Sequence, residues 1–128
     1  MSRGLHHIAL GARQVEEVAR FYREAFGLRE LTRHAYEDGA LRSIWLDLNP
    51  GVLMVEHSRE ERPRVEGVEA GPFLLAFAME AEERASMRGR LEAMGCEVEE
   101  ESAFTLYARD PEGNRVAVSH YPCPAPPG

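Results

Sequence analysis

Lysine is absent: all fifteen basic residues of this 128-residue chain are arginine. Schiff-base catalysis and lysine-anchored pyridoxal phosphate are excluded, and so is a Walker A loop, whose lysine reaches the nucleotide phosphates. Cysteine is scarce. Cys96 follows a glycine at the end of a helix, and Cys123 sits in a proline-rich tail. Neither has a partner at metal spacing and one pair is no disulfide framework, so free thiols in a reducing compartment are expected. Tryptophan occurs once, at Trp45. No apolar run approaches a membrane span. The apolar stretch in MSRGLHHIALGA is too short for a secretory signal. Clustered positive charge is missing too: the net charge is −7 and the arginines are spread along the chain. Nucleic acid and anionic membrane are therefore poor candidates as partners. The expectation is a soluble cytoplasmic protein.

What is present is a repeat. Residues 5–57 run strand, helix, glycine, then a strand hairpin closed at a Pro-Gly turn, and residues 73–121 run in the same order. The helix-ending glycines, Gly27 and Gly95, lie 68 positions apart. Two half-units of this size can share one pocket. Apolar residues make up 44% of the chain, enough for a globular core.

In the first copy, residues 5–11 alternate as a strand, with Leu5, His7, Ala9 and Gly11 on one face. Val15, Val18, Ala19, Tyr22, Ala25 and Phe26 mark an amphipathic helix over 14–26 that stops at Gly27. An edge strand is predicted over 29–36 and a strand over 42–48, with Trp45 opposite Ile44 and Leu46. After the Asn49-Pro50-Gly51 turn comes a strand over 52–57, with Val52, Met54 and Glu56 sharing a face. Residues 58–72 form a charged linker. The second copy predicts strands at 73–79, 97–101, 103–109 and 115–121 and a weaker helix over 82–94, in which Gly89 costs roughly 1 kcal/mol relative to Ala. Asp110 to Asn114 is turn chemistry, and 122–128 is an extended tail.

The β-α-β-β-β order, twice, with HIAL on the first strand, FYREAFGL closing the first helix and RDPEGNRV in the last hairpin, resembles the vicinal oxygen chelate superfamily. That superfamily includes glyoxalase I, bleomycin-resistance proteins, fosfomycin-resistance enzymes and extradiol dioxygenases. The resemblance covers about residues 5–121. It implies an α+β fold: one domain of two paired βαβββ modules whose curled mixed sheets form a cleft, in a chain that pairs as a homodimer. Metal-dependent members carry one ligand on the first strand and one on the last strand of each module. By that resemblance the first module offers His7 and Glu56, or Val55 in the latter place under a one-residue slip. In the second, the matching positions are Leu74, or Leu75 under the 68-residue offset, and Ala117, which bind no metal; the run GNRVAV replaces a GNRxEL-type pattern. Two protein ligands fall short of the three usual in an open catalytic site.

Three functions follow as expectations. The first is a small-molecule binder similar to bleomycin-resistance proteins, with an incomplete metal site. The second is a lyase, isomerase or dioxygenase resembling glyoxalase I, with Ni, Zn, Mn or Fe on His7 and Glu56. The third is a metal-free acid–base enzyme with Glu56 as catalytic base. His7 is expected to line the pocket, and Trp45 to stack on a planar ligand or serve as core. Thr105, Tyr107 and Arg109, with Ser119 and Arg115 across the hairpin, are candidates for polar contacts to a ligand, against the alternative of a solvated face. His6 is expected on the helix side. His57 and His120 are expected on the faces opposite Glu56 and Ala117.

Overall fold

The computed structural model describes residues 1–61 and 63–127. The chain divides into two compact units, Met1–Arg62 and Pro63–Gly128. In the first unit the elements are β1 (His7–Ala12), α1 (Val15–Phe26), β2 (Glu30–Ala35), β3 (Leu41–Asp47) and β4 (Val52–His57). The sheet order is β1-β4-β3-β2. β1 runs parallel to β4 and the other pairs are antiparallel.

α1 forms because its apolar residues recur three and four apart. Glu16 and Glu17 sit in the first turn, where the helix dipole favours acids. The helix ends on Gly27, whose φ of 70° is a left-handed cap; its N–H donates to the Arg23 carbonyl. Val18, Ala19, Tyr22 and Ala25 are fully buried, and the helix packs on β3 and β4. There it covers Ile44, Leu46, Leu53 and Val55, none of which is exposed. One face of the sheet is thereby committed to the core and the other left for different use.

Two irregularities in the β2–β3 register, after Glu30 and after His34, set which side chains of β2 face the helix. Glu30 and Arg33 lie on the helix side. Arg33 grips Glu30 with Nη2 and Nε at 2.7 and 3.0 Å, and Arg23 adds a contact at 2.9 Å. The Arg33 hydrogen bond holds the Glu30 carboxyl below the usual range, against a smaller opposing effect of burial and with added attraction from Arg33 and Arg23. A depressed carboxyl stabilises the fold above its unfolded pKa of about 4.3 and loses that contribution as pH falls through the lower folded value. Glu30→Gln should therefore flatten the acid limb of the stability curve. Urea melts at about pH 7 and about pH 3 check this; parallel losses in wild type and variant would show that the cluster contributes nothing.

The second unit repeats the pattern: β5 (Leu75–Ala78), a short 3₁₀ turn (Ala81–Glu83), α2 (Arg84–Ala93), β6 (Glu100–Glu101), β7 (Thr105–Arg109) and β8 (Arg115–Ser119), in sheet order β5-β8-β7-β6. It is the thinner copy. α2 buries Met87 and Leu91 where α1 buries six side chains. Its first predicted turn is 3₁₀, fastened by a capping box between Glu80 and Glu83. β6 is shorter than predicted because its two glutamates bury nothing. The β7–β8 turn is held by Asp110: its carboxylate accepts from the N–H groups of Glu112 and Asn114 and from the Asn114 amide, each at 2.9 Å. In the charged segment before β5, Val65 is buried, and Arg109 donates to its carbonyl.

Candidate functional site

On the face of the first sheet opposite α1, the register sets three transverse rungs. Gly11, Glu56, Ser43 and His34 lie across β1, β4, β3 and β2. Ala9, Met54, Trp45 and Thr32 form the next. His7, Val52 and Asp47 form the third. Neighbours within a rung are about 4.8 Å apart, and successive same-face rungs about 6.6 Å.

This register does not bring His7 and Glu56 together. His7 pairs with Val52 and Glu56 with Gly11, so the two stand four residues, or about 13 Å, apart along the sheet. The hairpin turns locate the difference from the expected ligand pattern. The first turn closes with Leu48 N–H donating to the Gly51 carbonyl, the second with Asp110 N–H donating to that of Asn114. Counted from those closures, Met54 corresponds to Ala117, Glu56 to Ser119, Trp45 to Tyr107 and Ser43 to Thr105. The ladders agree: Ala9 pairs with Met54 and Ala76 with Ala117. Ala117, which the resemblance matches to a ligand position, therefore has Met54 as its counterpart in the first module, and Glu56 lies one rung beyond Met54. Of His7, Met54 and Ala117, His7 carries an imidazole, Met54 a thioether and Ala117 no donor.

His7 is exposed and turns toward its neighbour: the Nδ1 atoms of His6 and His7 are 2.9 Å apart. His6 is exposed rather than packed under the helix. Trp45 is half-buried with its ring 5.0 Å from that of His34. Trp45 Nε1 and His34 Nε2 are both sealed from solvent without a hydrogen-bond partner. Ser43, between His34 and Glu56, is 1% exposed. His57 bonds the Tyr36 hydroxyl at 2.8 Å and so is occupied elsewhere.

The corresponding face of the second sheet is apolar at its centre, with Ala76, Ala78 and Ala117. Thr105 donates to Ser119 at 3.0 Å, so these two hydroxyls satisfy each other. The Arg115 guanidinium lies 4.5 Å over the Tyr107 ring, and its Nη2 is paired with Glu100. Arg109 serves the fold through Val65, Gly113 and Glu99. Burial, with a lesser push from the Asp110 charge, raises the Cys96 thiol above its ordinary range. That opposes the thiolate form that ligates metals or attacks electrophiles. Among the described residues no three His, Cys, Asp or Glu side chains group to hold a metal ion.

Sequence periodicity set Trp45 opposite Ile44 and Leu46 and Glu56 beside Met54, did not single out Ser43, and left His34, on an edge strand, able to reach a cleft only through loop placement. Ser43 could have been found by alternation from Trp45. The phase of His34 depends on the β2 irregularities, which leave no mark in composition.

Two four-stranded sheets with the same relative strand order, each built from one β-α-β-β-β run, define a protein of two repeated βαβββ modules. The family model described as the glyoxalase/bleomycin resistance protein/dioxygenase superfamily matches residues 4–118, and the chain belongs to that superfamily. Among solved structures, a mutant of the fosfomycin resistance protein FosX from Listeria monocytogenes, complexed with Mn(II) and 1S,2S-dihydroxypropylphosphonic acid, is similar with a TM-score of 0.80 at 18% identity, covering 94% of each chain. The integron cassette protein VCH_CASS1 from V. cholerae scores 0.68 at 21% identity, covering 94% of this chain and 97% of that one. Lactoylglutathione lyase from Agrobacterium tumefaciens scores 0.65 at 21% identity, covering 92% and 93%. At these identities the likeness is one of fold. No curated protein sequence matches the chain. Among the described residues no helix is long and apolar enough to cross a membrane.

Proposed function

We propose that this protein binds a small molecule in the manner of bleomycin-resistance proteins, without a resident metal ion, as a cytoplasmic homodimer. The observation that carries the reading is the register: the superfamily's ligand positions hold His7, Met54, Leu74 and Ala117, a donor set that does not fit a divalent ion. The first sheet supplies the binding surface instead. Trp45 and Met54 offer an apolar, polarisable rung for a flat ligand body. Glu56, Ser43 and His34 offer carboxylate, hydroxyl and imidazole on the next, and His7 a further polar group beyond Val52.

Trp45, as the lone tryptophan, is its own reporter. Compounds that raise the melting temperature in a screen should also shift its emission, and Trp45→Ala should weaken them by at least about tenfold, or ~1.4 kcal/mol. Hits whose affinity ignores both Trp45→Ala and Glu56→Gln would place binding elsewhere.

A second reading, metal-free acid–base catalysis, has one observation in its favour: Glu56 shares its rung with Ser43 and His34, and the His34 Nε2 has no partner. In that reading Glu56 is the base, with Ser43 beside it and His34 one strand further along the rung, while His7 lies four residues away along the sheet. Turnover that survives chelation and disappears in Glu56→Gln would favour it over simple binding.

A further inference from the structure

His120, just after β8, is 3% exposed, yet both of its ring nitrogens are engaged. Nη1 of Arg84, the first residue of α2, lies 2.8 Å from Nε2. A guanidinium only donates, so Nε2 must be a bare acceptor. Nδ1 faces the Cys123 carbonyl oxygen, so Nδ1 carries the proton and donates it there. The neutral Nδ1–H tautomer is the one state of the ring that satisfies both neighbours. The backbone completes the attachment: His120 N–H donates to the Phe104 carbonyl at 2.8 Å and Cys123 N–H to the His120 carbonyl at 2.9 Å. Beyond that anchor, Ala125, Pro126 and Pro127 line a groove of about 370 Å³ together with Arg84, Arg88 and Glu101.

We infer that His120 is a proton-operated latch for the C-terminal segment 121–127. A proton on Nε2 would set two donors and two positive charges 2.8 Å apart in a site almost closed to water. Arg84 is the partner that stays. Its Nη2 donates to the Ser102 carbonyl at 2.7 Å and to Glu101 at 3.1 Å, and Nη1 also reaches the Ala103 carbonyl at 3.3 Å. Glu101 is held by Arg84 and Arg88 of α2 and does not touch the ring. The other neighbours of the imidazole, Phe104 and the Cys123 carbonyl, bring no carboxylate to neutralise it. The protonated ring therefore leaves, the Cys123 contact goes with it, and the groove beside α2 opens.

The test is backbone ¹⁵N relaxation at the Tyr121, Cys123 and Ala125 amides, at about pH 8 and about pH 5, across the range where imidazoles change charge. Wild type should be ordered at the higher pH and mobile at the lower. His120→Gln keeps an acceptor for Arg84 and a donor for Cys123 but cannot titrate, so its segment should stay ordered at both. Should that variant fold poorly, Arg84→Gln provides the same check by removing the opposing cation, and its pH response should shrink. A segment that behaves alike at both pH values in wild type overturns the latch. So does an acid response that persists unchanged in His120→Gln or Arg84→Gln.

Discussion

Protein saturated with Ni²⁺, Zn²⁺, Mn²⁺ or Fe²⁺ and then dialysed should retain far less than one ion per chain, and His7→Ala should leave that residue of metal unchanged. The basis is the donor count at the four positions that the resemblance assigns to a metal. An open catalytic site needs about three protein ligands, and a structural site four. Here the positions are one imidazole, one thioether and two aliphatic side chains. Methionine sulfur is a soft, uncharged donor, ill-suited to these four ions in their divalent state. Glu56 cannot substitute, because the parallel β1–β4 ladder holds it four residues from the level of His7. Elemental analysis of the loaded and dialysed protein decides the matter. Stoichiometric retention that disappears in His7→Ala would mean other donors reach His7, and the metal-dependent isomerase or dioxygenase reading would then lead.

That prediction turns on a difference between two kinds of information in a sequence. Alternation gives the face of a strand: it set His7 opposite His6, Trp45 opposite Ile44 and Leu46, and Met54 beside Glu56, and the register lines these faces up on the side away from α1. Alternation does not give the level along the strand, because levels are set by pairing between segments 40 or more residues apart and by the closure of each turn. The two turns differ by one residue: Leu48–Gly51 closes over four residues and Asp110–Asn114 over five. A count of four from the glycine reaches Ala117 in the second module and Val55 in the first, whereas a count from the turn closures pairs Ala117 with Met54.

The elements themselves were legible for the opposite reason: their causes are local. The stripe from Val15 to Ala25 and the stop at Gly27 define α1 without reference to any other segment. The second helix was harder to bound because only Met87 and Leu91 anchor it. The polar groups on β7 and β8 were legible as to face but not as to use. Whether Thr105 and Ser119 would greet a ligand or bond each other depends on a cross-strand pairing, and they bond each other at 3.0 Å. The same holds for His120, whose buried position follows from Arg84 at the start of a helix 36 residues earlier.

Leu46→Ala should be the most damaging of the simple substitutions, at about 2–5 kcal/mol, the range for emptying a leucine-sized volume in a closed core. Leu46 is fully buried on the helix side of β3, and α1 packs on that strand. α1 owes its place to this contact, since a twelve-residue helix is marginal on its own in water. The flanking side chains Ile44, Leu53 and Val55 are β-branched or already fully enclosed, so they have little freedom to collapse into the gap. The corresponding loss in melting temperature is roughly 10 °C or more for a chain of this size. The substitution also separates stability from binding. Leu46 lies on the face opposite Trp45, so the folded fraction of Leu46→Ala should bind a screened ligand with wild-type affinity below its melting transition. A loss of affinity larger than the unfolded fraction explains would show that the rungs of the binding face depend on the packing of α1 behind them.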